Sequence, residues 1–584
     1  MSSARAVSRR RQRGSTLLVA ALCLGIALAA LGAIDVGNVY FMRRDLQRTA
    51  DLAAAAGAQT IDSTSSTTGN CSAATVSAQQ NAQTGNGLSS SASVTVVCGR
   101  WDPSVNAGQS YFATSGAPMN AVQVTIQQTV PYFFVGPART VQAVATAQAT
   151  NIRSFSITSA VASLSGGLLN GLLNGLLNSN LNLSVASYQG LATTQIKLGD
   201  LAAALGVGSM TQLLNTRVTL PNLVAAMITA AGKSTTLGAT AITDLGTIEA
   251  AIPGGLSVAL GNTSGTNGLL AVALDDPQAA VNATVNVLDT LLVAAEVANG
   301  TSAINLGTAL NLGALANVTA QAKLIQPPVI AVGEAGQNAD GTWRTSAHSA
   351  SVQIYLNVNL VNANIAGLVS ISALNLPIYI EVGYGTATLQ NTQCTTQQTT
   401  SQSTIAATTG VTAFCVGADA ASNFTNTTTA TQCNLPAQIT NVSALGYSLI
   451  NVSVGSSSPT SGLNLAVQSG QTSLVFNGVP NSSTAYQSVN TNALGSATAG
   501  VLTQLATALS TQSPTSPTIH ATAAGVDVTG LVAPLVSGLA TLLSPILTSL
   551  DALLVPLLQL LGVQIGVSTV HDLGLACGQA QLVY

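Results

Sequence analysis

Few side chains in this sequence are of the types that perform catalysis, and three of them lie near its end. His571 and Asp572 are adjacent and Cys577 follows, a set that could supply a base and a thiol nucleophile. If this segment is a strand, adjacent side chains point to opposite faces, so the pair is not placed to activate one thiol. The chain also contains no Gly-x-Ser-x-Gly elbow and no phosphate-binding glycine loop. We therefore predict no enzyme activity, no catalytic residue, no cofactor and no small-molecule substrate.

The seven cysteines divide by position. Cys23 lies in an apolar N-terminal run and is expected to be free. The other six are candidates for disulfide bonds: Cys71, Cys98, Cys394, Cys415, Cys433 and Cys577. An even number of cysteines in an oxidising compartment indicates disulfides, and without a Cys-x-x-Cys pair or clustered histidines no metal site is predicted. Cys71 and Cys98 are the only pair in the N-terminal part of the region, so we expect them to bond to each other.

Pairing among the last four cysteines is open. Local pairing favours Cys415 with Cys433, which leaves Cys394 for Cys577. A sheet could equally bring Cys394 beside Cys415, and sequence cannot choose among the connectivities.

These residues belong to a chain that begins with a basic and then apolar segment. Five arginines lie within the first 13 residues, and an uncharged apolar run extends from Ser15 to Ile34, ending at Asp35. A helix of this length rises about 30 Å, which matches the hydrocarbon core of a bilayer. We therefore predict a cytoplasmic basic tail at 1–14 and a transmembrane helix at 15–35.

The helix is expected to continue beyond the membrane, as a helical extension at 36–60. Apolar residues recur there at steps of three and four, and so share one helix face: Val39, Met42, Leu46, Ala50 and Ala53. The alternative is a signal peptide cleaved near the Ala-Leu-Ala at 27–29. Because the apolar run is longer than that of a signal peptide and the helical pattern continues, we favour a retained anchor.

Charge is distributed unevenly along the chain. Of sixteen Lys and Arg residues, eight lie in the first 48 positions and none follows Arg344. Basic residues beside a span resist translocation, so the tail should stay in the cytoplasm and the bulk of the chain should be exported. A net charge of −3 provides no basic face for nucleic acid. The lipid bilayer is the predicted partner, and nucleic acid is not.

Beyond the anchor, periodicity predicts an α+β fold: a β-rich exported region with an interleaved helical part. Alternation predicts strands in 92–150 and 350–480, and helical spacing prevails in 157–310. The predicted regions are 61–155 (β-rich), 156–325 (mainly helical), 326–527 (β-rich) and 528–584 (proline-punctuated apolar helices and a final strand).

Within these regions, individual elements are predicted. Helices are expected at Leu198–Leu205, Leu220–Ala231 and Val281–Val297, and polar loops at Thr395–Thr404 and Asn423–Thr431. The Gly-Leu-Leu-Asn repeat from Gly167 is too short and too polar to span a membrane, so a short buried helix or helix pair is predicted.

An apolar block lies near the C-terminal end. Prolines at 534, 545 and 556 recur at a constant spacing, and proline suits the first turn of a helix. We predict two short helices, at about 534–544 and 545–555, and a last turn from Pro556. A second membrane span over 531–561 is the alternative, against which Asp551 and the prolines count.

A longer pattern runs through the N-terminal segment, at residues 9–58. A basic stretch and a span are followed by Asp35-Val-Gly-Asn-Val-Tyr40, Arg43-Arg-Asp-Leu-Gln47 and Ala50-Asp-Leu-Ala-Ala-Ala-Ala56. This segment resembles that of TadG-like proteins of bacterial tight-adherence (Flp) pilus systems. Further segments resemble one subgroup of that family, which carries a C-terminal region of unknown function: Ser159–Leu183, Leu376–Gly383 and Gly574–Gly578.

The resemblance implies a membrane-anchored envelope component, structural or accessory to pilus assembly. It implies the bacterial inner membrane, a single span with the bulk periplasmic or exported, and other pilus-assembly or envelope proteins as partners. The alternative is an anchored surface or adhesive protein unrelated to a pilus.

The sequence departs from related proteins at two motifs, one for cleavage of pilins and one for binding a metal ion. Pilins of such systems are cut after a glycine, with Glu at the fifth position beyond it; here Val19 holds that position after Gly14, so processing like a pilin is not expected. Some relatives carry an Asp-x-Ser-x-Ser metal site. The nearest string, Asp62–Ser66, follows a helix rather than a buried strand, which predicts a turn instead.

Overall fold

The computed structural model describes residues 15–583 with several gaps. The longer stretches left undescribed within that range are 62–70, 158–165, 234–238, 306–316, 426–432, 491–517, 530–540 and 549–566. The chain divides into two compact units, Met1–Thr150 with Gly578–Tyr584, and Asn151–Cys577. We call the first the anchor unit and the second the inserted unit, because the second interrupts the sequence of the first.

The anchor unit begins with one long helix and continues with a second helix and four strands. These elements are α1 (Ser15–Ala58), α2 (Ser72–Gln80), a π-helical turn (Asn81–Gly85), β1 (Ser93–Trp101), β2 (Phe112–Ala113), β3 (Ala121–Val130) and β4 (Arg139–Gln148). The predicted long N-terminal helix is confirmed, and α1 is unbroken between its apolar half and its extension.

The inserted unit begins with one strand and a run of helices joined by short strands. These are β5 (Ile152–Ile157), α3 (Gly166–Leu177), α4 (Val185–Thr193), β6 (Gln195–Lys197), α5 (Leu198–Ala204), α6 (Met210–Leu214), β7 (Arg217–Thr219), α7 (Leu220–Ala231), α8 (Ala239–Ala251), β8 (Ser257–Ala259), β9 (Leu270–Ala273), a 3-10 turn (Pro277–Asn282), β10 (Thr284–Asn286) and α9 (Val287–Asn299). Side-chain caps begin several of them; Asn286, for instance, accepts bonds from the N–H groups of Leu288 and Asp289.

The Gly-Leu-Leu-Asn repeat forms α3, whose leucines from Leu169 onward join the core of the inserted unit. Its asparagine side chains form hydrogen bonds with backbone groups of the segment that follows the helix. The Asn170 amide donates to Leu183 O and accepts from Leu183 N, both at 2.9 Å, and the Tyr188 hydroxyl donates to Asn170 Oδ1 at 2.7 Å. The repeat therefore buries leucine on one side and binds polar backbone on the other, as a short buried helix does.

The rest of the inserted unit is mostly strands. These are β11 (Ala303–Asn305), β12 (Asn317–Gln326), β13 (Ile330–Gly333), β14 (Ser346–His348), β15 (Ser351–Ile365), β16 (Val369–Val382), β17 (Thr386–Gln393), a 3-10 turn (Gln398–Thr400), β18 (Gln402–Thr408), β19 (Thr412–Val416), α10 (Ala420–Thr425), β20 (Ala437–Ala444), β21 (Tyr447–Val454), β22 (Leu463–Val467), β23 (Gln471–Asn477), β24 (Tyr486–Asn490), β25 (Ile519–Ala523), β26 (Val526–Asp527) and β27 (Val567–Ala576). A last strand, β28 (Gln581–Val583), returns to the anchor unit.

The strands form four larger sheets among the described residues. The anchor unit has the order β2-β1-β3-β4-β28. The inserted unit has β24-β27-β5-β13-β9, β14-β17-β18-β23, and a ten-stranded sheet in which β12, β15, β16 and β20 are successive neighbours. In the last, Ile354 of β15 lies opposite Ile380 of β16, and both are buried. Because alternate residues of a strand share a face, this register gives the sheet its apolar side.

The anchor unit packs α1 against its sheet. Leu46, Ala50 and Ala53 of α1 are buried in one cluster with Val124 and Ile126 of β3. Small side chains allow the helix to approach the sheet closely, which explains why its inner face is rich in alanine. The α+β class predicted from the sequence is confirmed.

Some predicted element boundaries were wrong. The helix expected at Val281–Val297 is a 3-10 turn, a strand and then α9 from Val287, because β10 pairs with β6 and Asn286 caps the helix. The loop expected at Thr395–Thr404 ends in β18, which begins at Gln402. The loop expected at Asn423–Thr431 begins in α10, and its remainder lies outside the described residues.

Several other predictions fall on undescribed residues. The basic tail at 1–14 and the Asp62–Ser66 string lie outside the described residues. So does most of the apolar block, including nearly all of the alternative span at 531–561. The division into seven regions remains a prediction.

Candidate functional site

α1 is the only helix among the described residues that is long and apolar enough to cross a bilayer. Its side chains from Thr16 to Ile34 are exposed or half-buried, and Leu17 is 74% exposed. Cys23, within this stretch, is free and exposed. Burial begins at Asp35, which is 1% exposed. The apolar half of α1 is therefore largely exposed, which is compatible with a membrane span.

Asp35 is bound by the hairpin that joins β3 and β4. Its Oδ1 atom accepts hydrogen bonds from the backbone N–H groups of Phe133, at 2.7 Å, and Phe134, at 3.3 Å, and its Oδ2 atom accepts from Phe134 N at 3.2 Å. Hydrogen bonds to an ionised carboxylate are the stronger kind, so this contact fixes the hairpin beside the start of the buried part of α1.

Further along α1, polar contacts hold the extension to the sheet. The Gln47 amide donates to Val144 O at 3.0 Å and to Asp51 Oδ1 at 2.9 Å. At Gly57 a Cβ atom would lie 3.1 Å from Ala74 O, so glycine allows α2 to pack closely here. Residues of the N-terminal segment at 9–58, which resembles that of TadG-like proteins, therefore form the junction between the apolar half of α1 and the sheet of the anchor unit.

All six candidate cysteines form disulfide bonds. Cys71 is bonded to Cys98 in the anchor unit, with Cα atoms 5.8 Å apart. In the inserted unit, Cys394 is bonded to Cys577 and Cys415 to Cys433, with Cα separations of 5.9 and 5.6 Å. The two bonds of the inserted unit are those expected when cysteines close in sequence pair first. The alternative bond between Cys394 and Cys415 is not formed.

The disulfide at Cys577 removes the thiol that could have formed a nucleophile with His571. The side chains of His571 and Asp572 also bind different partners. His571 Nδ1 lies 2.7 Å from Asp289 Oδ2, which also accepts a 2.7 Å hydrogen bond from Ser156 Oγ. The Tyr486 ring stacks on the His571 ring, with centroids 3.9 Å apart.

Asp572 takes part in a second buried pair, on the opposite side of β27. Its Oδ2 atom lies 2.5 Å from Arg153 Nη2, and its Oδ1 atom accepts from Gly574 N at 3.2 Å. Arg153 also donates to Asn477 O at 2.8 Å. Burial lowers the pKa of Arg153 and raises the pKa of Asp572, while the ion pair opposes both changes.

These contacts join distant parts of the inserted unit. Arg153 and Ser156 lie on β5, Asp289 on α9, and His571 and Asp572 on β27. His571 is fully buried, and its Nε2 atom has no hydrogen-bond partner among the described residues. A buried, ion-paired cluster of this kind joins two strands and a helix of the inserted unit. Among the described residues, no group of three or more His, Cys, Asp or Glu side chains could hold a metal ion.

Sequence reasoning identified only part of these sites. The sequence marks His571 and Asp572 as adjacent residues that could do chemistry. It does not mark Asp289, Ser156 or Arg153, because no local pattern distinguishes them. Asp35 was noted as the end of the span. Its partners, at Phe133 and Phe134, lie almost a hundred residues later, and no pattern in that segment points back to Asp35.

Together, the one apolar helix of span length among the described residues, the packing of one face of its extension against a sheet and the disulfide-bonded α+β units indicate a single-pass membrane protein with a large region outside the bilayer. Comparison with known families agrees. A family model described as Flp pilus-assembly TadE/G-like matches residues 14–60, and one described as Tad-like Flp pilus-assembly matches residues 56–149. A domain of unknown function matches residues 165–298, within the inserted unit. No curated protein and no solved structure matches the chain.

Over residues 14–149, the chain therefore matches the Tad (Flp) pilus-assembly models as a TadG-like protein does. The two pilus-assembly models together cover α1 and the sheet of the anchor unit as far as β4. The family therefore accounts for the anchor unit, and the matched domain in the inserted unit carries no described function.

Proposed function

We propose that this chain is a structural or accessory component of tight-adherence pilus assembly, held in the bacterial inner membrane. Residues 1–14 lie in the cytoplasm, and the chain beyond residue 60 lies on the periplasmic side. The observation that carries the proposal is α1, in which an exposed apolar stretch changes to a buried face at Asp35 within a segment that matches the TadE/G-like model.

Charge and cysteine chemistry support this orientation. Arginines precede the span, and Lys and Arg near a span favour the cytoplasmic side. The three disulfides all lie beyond the span, and disulfides persist in oxidising compartments such as the periplasm. The buried cluster around Asp289 and Asp572 supports a structural rather than a catalytic role for the inserted unit.

The proposed role is tested by deleting the gene in a bacterium that makes such pili and counting surface pili by electron microscopy. We expect pili to be lost or sharply reduced, and restored by the wild-type chain. A chain with Arg9, Arg10, Arg11 and Arg13 changed to Ser should restore them less well, because its orientation bias is weakened. Normal pili in the deletion strain, together with reduced surface adhesion, would instead favour an adhesive protein unrelated to a pilus.

A further inference from the structure

The hairpin that binds Asp35 carries three aromatic side chains at its end. We call Tyr132, Phe133 and Phe134 the aromatic tip. Phe133 is 64% exposed and Phe134 56% exposed, while Tyr132 is half-buried. Exposing two neighbouring phenylalanines to water is unfavourable, and such exposed apolar groups commonly mark a surface for a partner or a membrane.

The position of the aromatic tip relative to α1 indicates which partner it fits. The backbone N–H groups of Phe133 and Phe134 bond directly to Asp35, the residue that ends the uncharged run of the span. When residues 15–34 cross the bilayer, Asp35 lies at the edge of the hydrocarbon core, because about 20 helical residues span it. The aromatic tip then lies at the same level, where aromatic side chains are enriched in membrane proteins.

The side chains of α1 around this level are of matching character. Ile34 and Val36 are exposed on either side of Asp35, and Tyr40 and Phe41 are exposed one to two turns further on. Arg43 and Arg44 follow and are also exposed. Apolar, then aromatic, then charged residues is the order expected on passing from acyl chains through the interface to the headgroups.

The hairpin is shaped to hold the tip in place. Gly136 has φ +118°, a conformation that other residues rarely adopt, and a Cβ atom there would overlap the Tyr132 ring. The Asp35 carboxylate, in turn, receives hydrogen bonds from protein at the edge of the hydrocarbon core, where an unpaired buried charge is costly. The backbone N–H groups of the aromatic tip and the Asp35 carboxylate therefore satisfy each other's hydrogen bonding at the membrane boundary.

We infer that the aromatic tip inserts into the outer leaflet of the same membrane that α1 crosses, and gives the anchor unit a second contact with lipid. The partner is the acyl–headgroup boundary of a bilayer. This inference rests on the proposed membrane anchoring of α1 and adds that the sheet is held against the lipid surface rather than standing free on the helix.

The test measures depth by fluorescence quenching in the full-length chain. Single tryptophans replace Phe133, Phe134, Ile34 or Leu52, and each chain is reconstituted in phosphatidylcholine–phosphatidylglycerol vesicles with or without brominated acyl chains. The signal of the parent chain, which contains Trp101 and Trp343, is subtracted. Ile34→Trp reports insertion of the span. Leu52→Trp is the matched control, since Leu52 is exposed on the same helix about 26 Å beyond Asp35.

We expect Phe133→Trp and Phe134→Trp to show at least half of the quenching of Ile34→Trp, and Leu52→Trp to show none. If Ile34→Trp is quenched while both tip variants match Leu52→Trp, the aromatic tip does not enter lipid and the inference is overturned; a protein would then be its partner. If Ile34→Trp itself is not quenched, the span is not inserted and the proposed anchoring fails, which makes the two failures distinguishable.

Discussion

The anchor unit and the inserted unit stabilise their interiors in different ways. The anchor unit packs alanines of α1 against one antiparallel sheet, and its buried Asp35 is satisfied by backbone N–H groups. The inserted unit has a leucine-rich core and a buried cluster in which Arg153 pairs with Asp572 and His571 with Asp289. Backbone partners tolerate changes in nearby side chains, whereas a buried ion pair depends on both of its members. We therefore expect single substitutions to affect the inserted unit most.

The largest effect is expected from Arg153→Met. It leaves Asp572 buried without its ionic partner, which should destabilise the inserted unit by about 3–5 kcal/mol. The chain has one tryptophan in each unit, so urea unfolding can be followed through Trp343 in a Trp101→Phe background. Lys233→Met is the matched control, because Lys233 pairs with Asp200 at the surface, where an ion pair contributes about 1 kcal/mol or less. Equal effects of the two variants would contradict a structural role for the cluster.

The next effect concerns the disulfide of the anchor unit. Replacing Cys71 and Cys98 with Ser opens a loop with a sequence separation of 27 residues, for which chain entropy predicts a loss of about 3–4 kcal/mol. The loss should appear in unfolding followed through Trp101, and the control Cys23→Ser should cause none. Peptide mapping without reduction checks the bond itself. Free, alkylated Cys71 and Cys98 in protein taken from the envelope would contradict both the pairing and the export of this region.

A smaller effect is expected at Asp35. Asp35→Ala removes the acceptor for Phe133 and Phe134 N–H, and hydrogen bonds to a charged group contribute about 1.5–3 kcal/mol. Asp45→Ala on the same helix should change the free energy of unfolding little, because Asp45 pairs with Arg48 at the exposed surface. A loss no greater than that of Asp45→Ala, measured through Trp101, would show that the hairpin does not depend on Asp35.

The smallest effect on the free energy of unfolding at acidic pH is expected from Glu296→Gln. This substitution should mainly change how the stability of the inserted unit depends on pH. Burial raises the pKa of Glu296 well above its usual value, so the folded state binds the proton more tightly than the unfolded state. Stability from this group is therefore present at low pH and is lost as pH rises above the ordinary glutamate range. Glu296→Gln should remove that part of the slope in unfolding free energy. An identical slope of unfolding free energy against pH in the wild type and in Glu296→Gln would contradict this prediction.

The two units also differ in how far their sequence predicted their structure. In the anchor unit, the span, the helical extension and the strands around Val94 and Val124 follow from local periodicity, and the structure has them. In the inserted unit, the repeat from Gly167 and the helix from Leu220 were also evident, because their apolar residues recur at helical spacing. Local patterns of this kind report only which face of an element is buried.

What the sequence did not predict depends on contacts between distant residues. The return of β28 to pair with β4 brings residue 582 opposite residue 147, and a strand of three residues has no distinctive pattern. The Asp289–His571 contact joins residues 282 positions apart. Buried polar partners of this kind are chosen by tertiary packing, so neither periodicity nor a motif marks them in advance.

The central claim, that α1 spans the membrane with the chain beyond it outside the cytoplasm, is tested most directly by protease accessibility. Trypsin is unsuitable, because no Lys or Arg follows Arg344. A nonspecific protease is therefore applied to spheroplasts of cells that carry the chain with a tag at Tyr584, beside a tagged cytoplasmic protein as the control for lysis. We predict that the Tyr584 tag is digested in intact spheroplasts while the cytoplasmic control survives. A Tyr584 tag that survives until the spheroplasts are lysed would contradict the claim or require a second span.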